Sequence, residues 1–234
     1  MKIDKELWVT REQIERLDHL NIQAGVDVAR MMELAGLQVA RLAEHFHPRS
    51  IVCLAGGGHN GGDSLCAARH LLNKGYRVTA VLASLKMREE VQHQRSVFEE
   101  AGGNVIEPET IRSLKRFDLI VDGLLGYNVD GNPRGEYARL IELANGSGKL
   151  ILAIDLPSGL NADGEEYTPC IRARRTLCLG YPKKGCLENR RAGEVWVGYI
   201  GILPSKAREL GVKPFPVQGE GALACEVNEI NDCK

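Results

Sequence analysis

The chain has 234 residues, of which 44% are hydrophobic and 26% charged, and its formal net charge at pH 7 is −1. This composition is typical of one globular domain, and the nearly neutral charge gives no electrostatic reason to expect nucleic acid or a membrane as a partner. No apolar run is long enough for a transmembrane helix, and residues 1–6 do not resemble a signal peptide, so we expect a cytoplasmic protein.

Two N-terminal helices are predicted before the first strand. Thr10 and Gln13 form a capping-box pattern at the start of the first helix. Apolar residues at helical spacing predict a second helix over residues 26–46. Further along the chain, we predict strands at 51–55, 77–83, 104–106, 118–122, 150–155, 175–179 and 195–200, and helices at 65–74, 88–101 and 135–145.

Strands and helices that alternate at these lengths predict an α/β fold with a doubly wound, mostly parallel, Rossmann-like sheet and helices on both faces. We assign residues 1–203 to this domain and interpret residues 204–234, which contain several prolines and glycines, as a peripheral extension. Ligands of such sheets bind beyond the carboxyl ends of the strands. The residues directly after each strand are therefore the candidates for function.

The first candidate segment is the glycine-rich run from Gly56 to Ser64, directly after the first predicted strand. Glycines let backbone N–H groups face an anion, and the N-terminus of the following helix adds positive potential. The run matches G-x-G-x-x-G, but the second strand is followed by Ala83 to Lys86, without the acid that binds ribose in a regular dinucleotide fold. Asn60 and Asp63 are not required by a glycine turn, so they either bind a ligand or cap the helix locally.

Two more candidate segments follow the fourth and fifth strands. Asp122 ends the fourth strand, and the glycine-rich segment after it either wraps a ligand or in part forms a turn. Asp155 ends the fifth strand and is followed by L-P-S-G, which is not a nucleophile elbow because leucine replaces the first glycine. Asn60, Asp122 and Ser158 offer oxygen ligands for one hard cation. Asp155 is left as the candidate acid and base.

In this order, the three segments resemble the NAD(P)H-hydrate epimerase family, whose domain is also called the YjeF N-terminal domain. The first segment reads H-N-G-G-D-S where the family has N-N-G-G-D-G, so it departs at His59 and Ser64. The second has the family's D-x-x-x-G from Asp122, and the third has its D-[IL]-P-S-G from Asp155. The likeness extends over about residues 8–203, including the G-Y-P-K-K-G sequence at 180–185.

The resemblance implies epimerisation of (R)- and (S)-NADHX and NADPHX at the hydrated carbon C6 of the nicotinamide ring, a step of metabolite repair. It implies Asp155 as the catalytic residue, a potassium ion bound by Asn60, Asp122 and Ser158, and a homodimer. The substrate-binding residues that it implies are His59, Asn60, Gly61, Gly62, Asp63, Gly126, Tyr127, Asn128, Val129, Asp130, Gly131, Asn132 and Asp155.

The chemistry suits an aspartate. As a hypothesis, the C6 hydroxyl is protonated and leaves, the ring nitrogen stabilises the cation, and water returns from either face. A desolvated crevice would favour the protonated form of Asp155, so that one carboxyl serves as acid and base.

Two alternatives are open. An NADP-dependent oxidoreductase, with Lys86 or Arg88 against the 2′-phosphate, would need neither Asp122 nor Asp155. A non-catalytic nucleotide-binding scaffold of the same fold would not need the polar residues of all three segments.

Overall fold

The computed structural model describes residues 3–128, 130–187, 189–216 and 223–226. Short 3-10 helices lie at Lys5–Leu7, Pro108–Thr110 and Lys184–Cys186. The α-helices are α1 (Arg11–Gln23), α2 (Val28–Glu44), α3 (His59–Asn73), α4 (Glu89–Glu100), α5 (Gly135–Asn145) and α6 (Pro204–Glu209). The strands are β1 (Ser50–Ala55), β2 (Arg77–Leu82), β3 (Asn104–Ile106), β4 (Leu119–Gly123), β5 (Leu150–Ile154), β6 (Arg175–Leu179), β7 (Glu194–Gly198) and β8 (Leu223–Glu226).

The strands form one sheet in the order β3-β2-β1-β4-β5-β6-β7-β8. β1 to β7 run parallel, and β8 pairs antiparallel with β7. The chain proceeds outward from β1 in one direction and from β4 in the other, so the strand order reverses between these two neighbours. Such a switch point leaves a crevice at the carboxyl ends of the strands. The predicted α/β, doubly wound fold is confirmed.

Both faces of the sheet are buried, as the wholly apolar strands require. In β1, Ile51 and Cys53 belong to the hydrophobic core on one face, and Val52 and Leu54 belong to the core on the other. Helices α1, α2 and α3 contribute to the first core. The second core contains apolar residues of α5.

The start of α1 follows the predicted capping box. The backbone N–H of Gln13 donates to Oγ1 of Thr10 at 3.2 Å, and the backbone N–H of Thr10 donates to Oε1 of Gln13 at 2.9 Å. Ile14 and Leu17 are buried on the inner face of the helix. The cap therefore determines where α1 begins, and the apolar face of α1 determines how the helix packs on the core.

The prediction for α3 was wrong in its first turns. We predicted a glycine loop and a helix from residue 65, but α3 already begins at His59, with Gly58 as its N-cap. The glycines permit this early start because the helix crosses close to the end of β1: a Cβ on Gly61 would collide with the carbonyl oxygen of Gly56. Part of the glycine pattern therefore serves close packing between helix and strand.

The segment after residue 203 contributes to the domain. Ala207 of α6 and Val212 after it are buried in the first hydrophobic core. β8 adds an edge strand, with Leu223 opposite Gly198 of β7. The division into a domain and an extension at residue 203 stays a prediction. Among the described residues, no helix is both long and apolar enough to cross a bilayer.

Candidate functional site

A cavity of about 920 Å³ opens at the carboxyl ends of β1, β4 and β5. The cavity is lined by the start of α3, by the segment after β4 and by Asp155 after β5. Helices α1 and α2 also line it, with Asp18 and Met32. The volume is in the range of cofactor-sized pockets. The switch point of the sheet therefore carries a cavity large enough for a dinucleotide.

Most of the predicted substrate-binding residues line this cavity. Gly61 and Gly62 instead lie within the first turns of α3, where they pack against Gly56 and Met32. Val129 lies outside the described residues. The residues that line the cavity are His59, Asn60, Asp63, Gly126, Tyr127, Asn128, Asp130, Gly131, Asn132 and Asp155.

The three predicted cation ligands belong to one hydrogen-bonded group, in which Asn60 lines the cavity and Asp122 and Ser158 are buried. Ser158 Oγ donates to Oδ1 of Asp122 at 2.6 Å, and the Ser158 backbone N–H donates to Oδ2 at 2.8 Å. Asn60 Nδ2 donates to the carbonyl oxygen of Leu125 at 2.8 Å, and the Leu125 N–H donates to Ser158 Oγ at 2.9 Å. The ends of β4 and β5 and the start of α3 are thus tied together by oxygen-rich side chains.

Asp122 is a fully buried carboxyl. Among the described residues, no lysine, arginine or histidine forms an ion pair with it; its partners are Ser158 and the backbone N–H of Leu124 at 3.3 Å. Burial raises the pKa of Asp122 to about 6, although the hydrogen bonds from Ser158 oppose this. A buried carboxyl surrounded by hydroxyl and carbonyl oxygens is a suitable donor set for a monovalent or divalent hard cation.

Asp155 adopts a left-handed backbone conformation directly after β5, with φ of 66°. This conformation is strained for a residue with a side chain, and such strain is concentrated at functional sites. The backbone N–H of Leu179 donates to Oδ1 of Asp155 at 3.0 Å, and the ammonium of Lys183 forms an ion pair with the same oxygen. The turn therefore delivers a firmly held carboxylate to the cavity wall.

Lys183 gives Asp155 a charged partner that the sequence reasoning did not expect. Its side chain is 1% exposed and also donates to the carbonyl oxygen of Leu179 at 2.7 Å. Burial is the largest influence and lowers the pKa of Lys183, but Asp155, Cys178 and Asp18 together raise it by more, so the pKa is raised. One oxygen of Asp155 is thus held by an ammonium and by a backbone N–H at the wall of the cavity.

A second carboxyl group that the sequence reasoning missed comes from α1. Tyr127 Oη donates to Oδ2 of Asp18 at 2.9 Å, which joins the segment after β4 to the N-terminal helix. Arg11 adds a second link, from Nε to Oδ1 of Asn128 at 3.2 Å. Burial raises the pKa of Asp18 to about 6. α1 thus forms part of the cavity wall as well as part of the core.

The two departures from the family pattern have different surroundings. Ser64 is fully buried, and its hydroxyl donates to the carbonyl oxygen of Leu54 at 3.1 Å. Gly123 leaves the space for it, because a Cβ on Gly123 would lie 2.4 Å from the Ser64 Cβ. His59 is about half exposed at the mouth of the cavity, with Nε2 4.0 Å from a carboxylate oxygen of Glu90. The serine therefore does not disturb the start of α3.

One cluster with metal-ligating side chains lies elsewhere in the described part of the chain. Glu33, Cys66 and His70 present ligand atoms within 4.8 Å of one another on α2 and α3. The guanidinium of Arg69 already occupies this cluster, at 2.5 Å from Glu33 and 3.3 Å from the Cys66 sulfur. We interpret the cluster as an ion-paired contact between the two helices.

Comparisons with known proteins agree with this geometry. A family model described as YjeF-related protein N-terminus matches residues 28–185. The NAD(P)H-hydrate epimerase of Dehalogenimonas lykanthroporepellens is 37% identical over 88% of this chain and 87% of its own length. That of Rhodopirellula baltica is 34% identical over 87% of this chain and 88% of its own length.

Longer relatives and a solved structure extend the picture. The bifunctional NAD(P)H-hydrate repair enzyme of Thermosynechococcus vestitus is 33% identical over 84% of this chain, which corresponds to 39% of that enzyme. The crystal structure of the yeast protein ynu0 superposes with a TM-score of 0.81 over 93% of this chain and 98% of its own, at 23% identity. From the extent of these matches, the chain belongs to the family of proteins related to the YjeF N-terminus.

Proposed function

We propose that this protein interconverts the R and S epimers of NADHX and NADPHX at C6 of the hydrated nicotinamide ring. The observation that carries the proposal is the Asp155 carboxylate, held on a strained turn at the wall of a cavity of about 920 Å³. The relatives named NAD(P)H-hydrate epimerase, which match most of this chain, support the same substrate.

In this proposal, the cavity holds the dinucleotide and Asp155 acts at the hydrated ring. The N-terminus of α3, with His59 at its first turn, supplies N–H groups and positive potential for a phosphate. The Asp155 carboxylate, paired with the ammonium of Lys183, accepts the proton of the water that adds to C6. Met31 and Met32 of α2 supply apolar wall that excludes bulk water from the ring.

The proposal includes a potassium ion at Asn60, Asp122 and Ser158. The donor set fits, because Asp122 is fully buried and its only partners among the described residues are neutral hydrogen-bond donors. When bound, the ion supplies a fixed positive charge that compensates this carboxylate and orders the segment after β4. Asn60 and Ser158 hold that segment by their hydrogen bonds to Leu125.

The test is an assay of R-to-S conversion of NADHX by chromatography, with the wild type and Asp155→Asn. We expect the wild type to exceed the uncatalysed rate and the variant to lose at least about 100-fold in kcat, the scale of general acid–base catalysis. Binding of NADP⁺ by calorimetry checks that the variant still has its site. Turnover by Asp155→Asn at the wild-type rate would contradict the assignment.

The same assay separates the proposal from its alternatives. A non-catalytic scaffold would bind the dinucleotide without epimerising it, and an oxidoreductase would transfer hydride to an added acceptor. We also infer a homodimer in the cytosol. The homodimer is what the family resemblance implies, and support for the cytosol comes from the free thiols of the five buried cysteines among the described residues. Light scattering and cell fractionation test these two points.

A further inference from the structure

Asp63 is a buried carboxyl that the protein itself leaves without a partner. It lies in the second turn of α3, is 7% exposed and lines the cavity. Within the described part of the chain, no hydrogen bond or ion pair to its carboxyl group is found. Buried polar groups in proteins nearly always have a hydrogen-bond partner, because leaving one unpaired costs about 1–3 kcal/mol. A partner from the bound substrate would satisfy this group.

The charges that face Asp63 set its protonation. Burial is the largest influence, followed by the carboxylates of Asp155 and Asp18, and together they raise the pKa of Asp63 well above its ordinary value. Lys183 opposes this shift, but its ammonium is committed to Asp155. The raised pKa favours the form of Asp63 that can donate a proton, whereas Oδ1 of Asp155 is taken up by the ammonium of Lys183 and the N–H of Leu179. Two carboxyls in such different surroundings within one cavity are typical of acid–base pairs.

We propose that Asp63 is a second catalytic residue, the acid that protonates the leaving C6 hydroxyl, while Asp155 is the base. The inference rests on the proposed epimerase function and goes beyond a role of Asp63 in substrate binding. It supplies a proton donor that has no ion-pair partner among the described residues, whereas the Asp155 carboxyl is paired with Lys183.

The steps balance without an added reactant. The proton of the Asp63 carboxyl moves to the C6 hydroxyl, the C6–O bond breaks with its electron pair on oxygen, and water leaves. The lone pair of the ring nitrogen forms a double bond to C6. Water then adds to the opposite face of C6, its proton moves to the Asp155 carboxylate, and the nitrogen recovers its lone pair. The proton returns from Asp155 to Asp63 through water in the cavity.

The experiment compares Asp63→Asn and Asp63→Ala with the wild type in the R-to-S assay. Asparagine keeps the shape of the side chain and can donate a hydrogen bond, but it cannot transfer a proton. Alanine leaves space for formic acid, which restores a proton donor at the same place. Glu100→Gln, an exposed acid-to-amide change at the end of α4, is the matched control. NADP⁺ binding and thermal unfolding are measured for every variant.

We expect Asp63→Asn to lose at least about 100-fold in kcat while NADP⁺ binding changes by less than about threefold. Formate should increase the rate of Asp63→Ala, more at pH 5 than at pH 8, and leave the rate of Asp63→Asn unchanged. The acid role is overturned if kcat of Asp63→Asn stays within about threefold of the wild type. It is also overturned if the Asp63 variants lose NADP⁺ binding and formate does not restore the rate of Asp63→Ala. A wild type that does not epimerise NADHX overturns the proposed function and the acid role together.

Discussion

Replacing Lys183 with methionine removes one half of a buried ion pair and keeps most of the volume of the side chain. The two partners, Lys183 and Asp155, have side chains that are 1% and 6% exposed, so solvent screens their interaction little. The variant leaves a buried carboxylate with the N–H of Leu179 as its remaining donor, and it leaves the Leu179 carbonyl without the ammonium. Breaking such a pair from one side typically costs about 3–5 kcal/mol.

The assay is urea unfolding at pH 7.5 of the wild type, Lys183→Met, Asp155→Asn and the double variant. We expect Lys183→Met to lose about 3–5 kcal/mol of unfolding free energy. The double variant should be more stable than Lys183→Met, because no charge is left buried without a partner. Because the variant removes the ammonium that holds the Asp155 carboxylate in place, kcat of Lys183→Met should also fall by about 100-fold.

Lys184→Met is the matched control, since this neighbouring lysine is exposed. We expect it to stay within about 0.5 kcal/mol of the wild type. Equal stability of Lys183→Met and Lys184→Met would refute the reasoning. Strict additivity of the two single changes in the double variant would also refute it, because a buried pair must couple its partners.

Three further predictions concern packing, pH and the cation. Gly61→Ala should destabilise the protein by at least about 1–3 kcal/mol, because its Cβ would collide with the carbonyl oxygen of Gly56. Gly58→Ala is the control, since a Cβ there meets open space. Urea unfolding in which both variants match the wild type would contradict this prediction. Since the pKa of Asp18 is raised to about 6 in the folded state, its ionisation lowers stability as the pH rises from about 4 through 6. The free energy of unfolding of Asp18→Asn should therefore exceed that of the wild type by about 1–2 kcal/mol at pH 7.5, after allowance for partial exposure, and should equal it at pH 3.5. An equal difference in unfolding free energy at both pH values would contradict the prediction. Potassium should raise the melting temperature of the wild type relative to tetramethylammonium, and Asp122→Asn should abolish this difference. A wild type with the same melting temperature in both salts would exclude the ion from this site.

The strands and most helices could be predicted because their causes are local. Apolar runs such as β1 and the capping box of α1 act within a few residues. The early start of α3 could not be predicted, because glycine has a low intrinsic propensity for helix. In α3 the glycines are needed because they have no side chain, which permits close contact between the helix and the end of β1.

The candidate site could be predicted where the chain places polar residues at strand ends. Asp122 and Asp155 follow from that rule. Asp18 and Lys183 do not, because they reach the cavity from α1 and from the segment after β6, far from either strand end in sequence. The G-Y-P-K-K-G sequence around Lys183 indicates the family likeness but no role for the lysine. A lysine four residues beyond the end of β6 gives no local sign that it is buried against a carboxylate.

The most direct test is a crystal structure of the protein with a bound nicotinamide dinucleotide. We expect the nicotinamide ring to lie in the cavity with C6 about 3–3.5 Å from a carboxyl oxygen of Asp155 or from the water that it holds. We also expect Asp63 to lie within hydrogen-bond reach of the ring substituents. A dinucleotide whose ring lies away from both aspartates, or outside the cavity, would contradict these expectations.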